Sequence, residues 1–127
     1  MSLIFCPLFS GSSGNAVLVG TGNTKVLIDA GLSGTIIESA LLSIGENMRD
    51  IKAILITHEH IDHIKGVGIL SRKYDIPVFA NTPTWEAMAS KIGVIKEKNT
   101  CFFEENDFYI DDLGIETVKT PHDAVMP

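Results

Sequence analysis

Thr57-His58-Glu59-His60-Ile61-Asp62-His63 follows directly on the apolar run Ala53-Ile54-Leu55-Ile56, and three of the chain's four histidines fall inside it. The pattern His58-x-His60-x-Asp62-His63 sets four metal-competent side chains close together at the end of an expected buried strand, a way of holding ligands on a rigid element. Imidazole suits zinc, iron and manganese-like ions, and the added carboxylate favours a hydrolytic site over a structural one. In extended backbone, residues two apart share a side, so His58 and His60 are expected to grip one ion while Glu59 and Ile61 face away. Asp62 and His63 are adjacent and need a bend before both can face a second ion; Gly66 and Gly68 would allow one. The helical zincin pattern H-E-x-x-H is excluded, because its second histidine would fall at Asp62. A solvated polar turn with incidental histidines is the bland alternative, but a cluster this dense is costly to bury without a ligand.

The 127 residues support one domain that buries roughly two-thirds of its unfolded surface. With 45% hydrophobic and 20% charged residues the chain is globular rather than disordered. The net charge of −6, with lysine and arginine scattered, offers no basic face for tracking a nucleic-acid backbone. Lys65, Arg72 and Lys73 come nearest to a cluster and read as a solvated helix face. No apolar run approaches the roughly 20 residues that span a bilayer. The apolar start contains Pro7 and lacks a basic segment, so it reads as a first strand and not as a signal peptide. Cys6 and Cys101 form no CxxC pair and read as reduced core cysteines of a cytoplasmic protein.

Apolar runs bounded by turn residues predict strands at 3–9, 16–20, 25–29, 52–57, 77–80, 100–103, 108–110 and 115–120. Helices are expected after a cap at Ser33 or Thr35, ending at Gly45, then over 66–74, and over 82–92 with Thr82 as cap and Pro83 at its first position. Antiparallel strands followed by alternating strand and helix point to a layered α/β domain.

Together with Phe9-Ser10-Gly11-Ser12-Ser13-Gly14-Asn15, Leu27-Ile28-Asp29-Ala30-Gly31 and Pro121-His122-Asp123-Ala124, the histidine motif resembles the metallo-β-lactamase fold superfamily, and within it the YycJ/WalJ subgroup. The resemblance implies an αββα sandwich, of which residues 1–127 supply about the N-terminal half, a mixed sheet with helices on one face. It implies that His58, His60 and His122 hold a first metal, that Asp62 and His63 belong to a second, and that Asp62 is also catalytic. Asp29 would support the ligands without binding metal. The complete enzyme would carry two divalent ions, zinc first with manganese or iron as alternatives, and this chain one or none. The implied activity is that of a phosphodiesterase or exonuclease acting on nucleic acid through a hydroxide shared by two ions. Thioester hydrolysis of the glyoxalase II kind and a non-catalytic metal-binding fragment are the alternatives. On the residues alone, Asp29 is equally a turn former, His122 a solvated loop histidine, and Asn15 either a border of the site or a backbone cap. The family's later bridging aspartate and final histidine have no counterpart after His122. The chain is therefore expected to be C-terminally truncated and nearly inactive alone. Aliphatic side chains at 17–19, 26–28 and 54–56 would line an uncovered sheet face, favouring a homo-oligomer through it.

Overall fold

Valine, isoleucine and leucine fill the strands, and burial of those strands on both faces makes them the middle of a sheet. The computed structural model describes residues 3–103 and 108–115. Strands β1 (Ile4–Phe9), β2 (Ala16–Gly20), β3 (Lys25–Ile28), β4 (Ile51–Leu55), β5 (Val78–Ala80) and β6 (Thr100–Phe102) lie side by side in chain order. The first three are antiparallel and β3 to β6 run parallel. Parallel neighbours need crossovers. These carry α1 (Gly34–Ser43), the short α2 (Ile61–Ile64), α3 (Val67–Tyr74) and α4 (Thr82–Ile92). The mixed α/β architecture expected from the sequence is the one found.

Helix starts follow local chemistry. Ser33, not Thr35, caps α1 by accepting the Ile36 N–H, and Gly45 follows its end at φ 81. Asn81, not Thr82, caps α4: its side-chain oxygen accepts the Thr84 N–H at 2.9 Å, the bond an N-cap amide is built to make. Pro83 then sits within the first turn, where a missing N–H costs nothing. Strand β4 stops at Leu55, two residues short of expectation, so the histidines leave the strand before they begin. Strand β7 (Phe108–Ile110) falls where a strand was expected, and β8 (Leu113–Ile115) begins two residues before the strand expected at 115 and pairs with β7 as a hairpin; residues 116–120 of that expected strand lie outside the described residues.

Leu27, Ile54 and Val78 pack toward Ile37, Leu41, Leu70 and Met88 of the helical layer. Val26, Ala53 and Leu55 point the other way, and there the expectation of an open face fails. Leu113 of the hairpin is buried against them, with Phe79, Phe103, Phe108, Ile110 and Ile115 packed around. Phe108 stacks on Phe79 and Phe103 at centroid distances of 5.3 and 5.6 Å. The Thr21 hydroxyl bonds Asp112 at 3.1 Å and pins the hairpin's turn to that of β2–β3. On this face Val26, Ala53 and Leu55 are 0%, 0% and 6% exposed, while Val17, Val19 and Ile28 are half-buried. The hairpin does the covering assigned to a second copy, so the drive for a homo-oligomer through this face is largely removed. Cys6 and Cys101 are free and lie on opposite edge strands of the sheet, too far apart to pair. Among the described residues no helix is long and apolar enough to cross a membrane.

Leu113 is 6% exposed and is the hairpin's buried anchor. Leu113→Ala should lower the unfolding free energy by about 2–5 kcal/mol in urea melts, and should raise hydrophobic-dye binding by unsealing this face. Unchanged dye binding and stability would show that the hairpin does not close it.

Candidate metal centre

Asp29 ends β3 at φ 65, a left-handed conformation that aspartate adopts more readily than most residues. Its N–H donates to the Leu55 carbonyl at 2.7 Å, carrying the β3–β4 ladder one step past the last strand residue. The turn brings its carboxylate to the end of β4. There the Thr57 N–H donates to Oδ1 at 2.8 Å and the Thr57 hydroxyl to Oδ2 at 2.6 Å. His63 Nδ1 lies 2.7 Å from the same Oδ2. Three hydrogens thus satisfy a carboxylate whose side chain is only 7% exposed.

This network settles two imidazoles. Because the Thr57 hydroxyl hydrogen is committed to Asp29, its oxygen accepts from His58 Nδ1, 2.8 Å away. His58 and His63 both carry their hydrogen on Nδ1, and both keep Nε2 as the lone-pair nitrogen. Their ring centroids are 4.6 Å apart, and His60 lies 6.0 Å from His58. His63 Nε2 is 3.7 Å from Asp62 Oδ2. Two ligand atoms at about 2.1 Å from one tetrahedral ion would be roughly 3.4 Å apart, so the pair is close to metal-ready.

Asn15 holds Asp62. Its side-chain amide donates to Asp62 Oδ2 and to the Asp62 carbonyl, each at 3.2 Å, and its own N–H donates to that carbonyl at 2.8 Å. Asn15 thus bonds backbone, as a capping residue does, and also reaches the Asp62 carboxylate. Gly31 passes so close that a Cβ there would sit 1.7 Å from the Asp62 carbonyl oxygen, and one at Gly66 would sit 2.4 Å from the Leu32 carbonyl oxygen. Backbone bonds Ala30 N–H to His63 O at 2.9 Å and Gly66 N–H to Ala30 O at 2.7 Å complete the lacing. Only glycine permits these approaches.

Several expectations need correction. His58 and His60 lie in a loop that begins after Leu55, two residues before the strand end expected at Thr57. The bend falls at His60, in extended conformation (φ −64°, ψ 146°) just before α2, while Gly66 serves close packing and has an ordinary φ of −96°. Ile61 does face solvent at 57%, but Glu59 does not turn outward: it is 8% exposed, with Oε2 3.3 Å from His60 Nε2. Thr57, Gly31 and Glu59 were missed as site residues. The signal for the first two was their adjacency to His58 and to Asp29-Ala30; Glu59 carried none. Arg72 closes α4 by donating to the Ile92 and Val94 carbonyls at 2.9 and 3.0 Å, and Lys73 pairs with Glu38 at 3.1 Å, so both have structural partners. His122 and Asp123 lie outside the described residues.

Ligand-capable atoms of Asp29, His58 and His63 lie within 4.8 Å of one another. Asp29 accepts three hydrogens and so holds Thr57 and His63 in place, and the nitrogen and oxygen donors gathered here are of the kind that suits a zinc-like dication. The hydrogen bond from His63 to Asp29 holds the imidazole pKa above its ordinary value; burial opposes this, and the charges of Asp29, Asp62 and Glu59 add to it. A proton therefore competes with metal for His63, and uptake should weaken as pH falls. In the metal-free chain the pair stabilises the fold fully below the ordinary histidine pKa, and loses that contribution as pH rises through the raised one.

The profile of the metallo-beta-lactamase superfamily matches residues 10–125, and the chain belongs to that superfamily. It is 46% identical over 128 residues to Exodeoxyribonuclease YycJ of Bacillus anthracis, covering 100% of this chain and 48% of the relative. To Exodeoxyribonuclease WalJ of Streptococcus pneumoniae it is 46% identical over 123 residues, covering 94% and 46% respectively. Among solved structures, a B3 metallo-beta-lactamase with an active-site glutamic acid is similar at a TM-score of 0.76 and 25% identity, over 97% of this chain and 53% of that one. The chain spans about half the length of the curated relatives it matches.

Asp29→Asn removes the charge that holds His63. The His63 pKa, followed by NMR in the metal-free chain, should fall toward the ordinary histidine value, and zinc affinity should drop about 10–100-fold. An unmoved titration would remove Asp29 from its anchoring role.

Proposed function

We propose that this member of the superfamily supplies the metal-binding loop of a divalent-metal-dependent hydrolase that cleaves phosphodiester bonds in DNA as an exonuclease. The observation that carries the reading is the Asp29-centred network, which leaves His58 Nε2 and His63 Nε2 as lone-pair nitrogens beside a partly exposed Asp62 carboxylate. The substrate class is supported by the two exodeoxyribonuclease relatives. In this reading His58 and His60 hold one ion with His122, and Asp62 and His63 belong to a second. Zinc fits the nitrogen-rich set best, with manganese or iron as alternatives. When bound, such ions ease deprotonation of water near neutral pH and stabilise charge developing on the phosphate oxygens.

The residues of this chain divide the remaining work. Asp62, its side chain 32% exposed, combines ligation with accepting the proton of the attacking water, while Asn15 steadies its Oδ2. Asp29 and Thr57 touch no substrate and hold His58 and His63 in one tautomer and one orientation. A cytoplasmic place of action is part of the proposal, supported by the two free cysteines.

The reading is tested on the chain in its full gene-encoded context, with end-labelled DNA. Nucleotide release should require added metal, stop with chelator, and fall about 10²–10⁴-fold in Asp62→Ala. Turnover of a thioester reporter with none on DNA would replace the proposal by the thioester reading. A metal content near one per chain, without turnover of either substrate, would favour a non-catalytic metal-binding role.

A further inference from the structure

We propose that Glu59 is the positioning residue for His60: its carboxylate accepts the imidazole Nε2–H, which leaves Nδ1 as the nitrogen that His60 offers to metal. The inference rests on the metal-site reading above and is independent of the substrate.

Neighbouring residues in extended backbone diverge. Glu59 and His60 instead converge, with Glu59 Oε2 3.3 Å from His60 Nε2. The two side chains differ in how they are held. Glu59 is buried at 8% exposure, and its carbonyl accepts Lys91 Nζ from α4 at 3.4 Å, so its position is set by the body of the domain. The His60 side chain is 43% exposed, against 18% for His63. A ring that open lacks the packing to fix its rotation, and a hydrogen bond to a fixed carboxylate can do so.

Two histidines of the loop have one nitrogen tied by a hydrogen bond, Nδ1 of His58 to Thr57 and Nδ1 of His63 to Asp29, and the third has Nε2 at ion-pair distance from Glu59. The position between the first two histidines thus has its own chemistry: an acid there acts on the next ring, in the same loop. The carboxylate also adds negative charge beside a cation, and partners of this kind are worth about 10–100-fold in metal affinity.

The test begins with the metal-free chain, imidazole-labelled with ¹⁵N, at a pH above the histidine titrations. Long-range ¹H–¹⁵N correlations should show His60 as the Nε2–H tautomer, with that hydrogen slowed in solvent exchange, while His58 and His63 carry Nδ1–H. In Glu59→Ala, His60 should lose the exchange protection and relax to mixed tautomers. Zinc affinity should fall about 10–100-fold, and Glu59→Gln, which keeps an acceptor oxygen, should restore most of it. His60 found as Nδ1–H or as a fast-exchanging mixture in the wild-type chain overturns the proposal, whether or not Glu59→Ala folds. So does a folded Glu59→Ala chain with wild-type zinc affinity. Wild-type tautomers as proposed but without zinc binding would instead overturn the metal-site reading.

Discussion

Three hydrogens converge on the carboxylate of Asp29, and the rest of the site is arranged by that convergence. A buried carboxylate left unpaired costs several kcal/mol, so Thr57 and His63 are as necessary to Asp29 as it is to them. The mutual requirement fixes where the loop after β4 must go. It must return within hydrogen-bond reach of the end of β3, and α2 is the single turn that brings His63 back. The tautomers of His58 and His63 follow from the same bonds. The orientation of both imidazoles is therefore set by the Asp29 carboxylate.

The sheet makes this possible because β3 and β4 are parallel neighbours whose carboxyl ends coincide, Ile28 beside Leu55. Open α/β sheets place their sites outside the carboxyl ends of strands, where loops from adjacent strands meet. Here a third segment joins them. Asn15, at the start of the antiparallel β2, reaches Asp62, and Gly31 admits the Asp62 carbonyl at a distance no side chain would allow. The Ser-Gly-Asn loop, the Ile-Asp-Ala-Gly segment and the histidine motif are distant in sequence but make one hydrogen-bonded unit. That unit explains physically why the three segments occur together.

The strands, the helices and the metal-competent cluster were legible in the sequence because each rests on a local pattern: apolar periodicity, a cap, a dense run of ligand types. What was not legible depended on contacts across the chain. Glu59 was assigned to the outside by strand alternation, but β4 ends at Leu55 and alternation no longer applies. Asn81 outcompetes Thr82 as a cap by a single position, a margin that propensity does not resolve. The covering of the second sheet face depended on whether the acidic, aromatic segment after β6 would fold back. Phe108 and Leu113 pack against Phe79, Val26 and Ala53, partners distant in sequence, so no local window contained that answer. Asp29 stood evenly between turn former and ligand support; the structure shows its left-handed turn aiming the carboxylate at Thr57 and His63.

Charge sets the final constraint. The chain carries −6, and the site itself gathers Asp29, Glu59 and Asp62 around the imidazoles. Two of the basic residues near the motif in sequence are already engaged, Lys73 with Glu38 and Arg72 with the carbonyls that close α4. Without cations this surface repels a polyanion at close range, where exposed charges are least screened by salt. If the site acts on DNA, carboxylates that attract divalent ions and a backbone that needs them are coupled through the same charges. Linkage makes that coupling reciprocal, so a phosphate that gains affinity from bound metal raises the metal's own affinity by the same factor. On that condition an acidic domain would serve an acidic substrate without a basic groove, its electrostatic attraction switched on by bound ions.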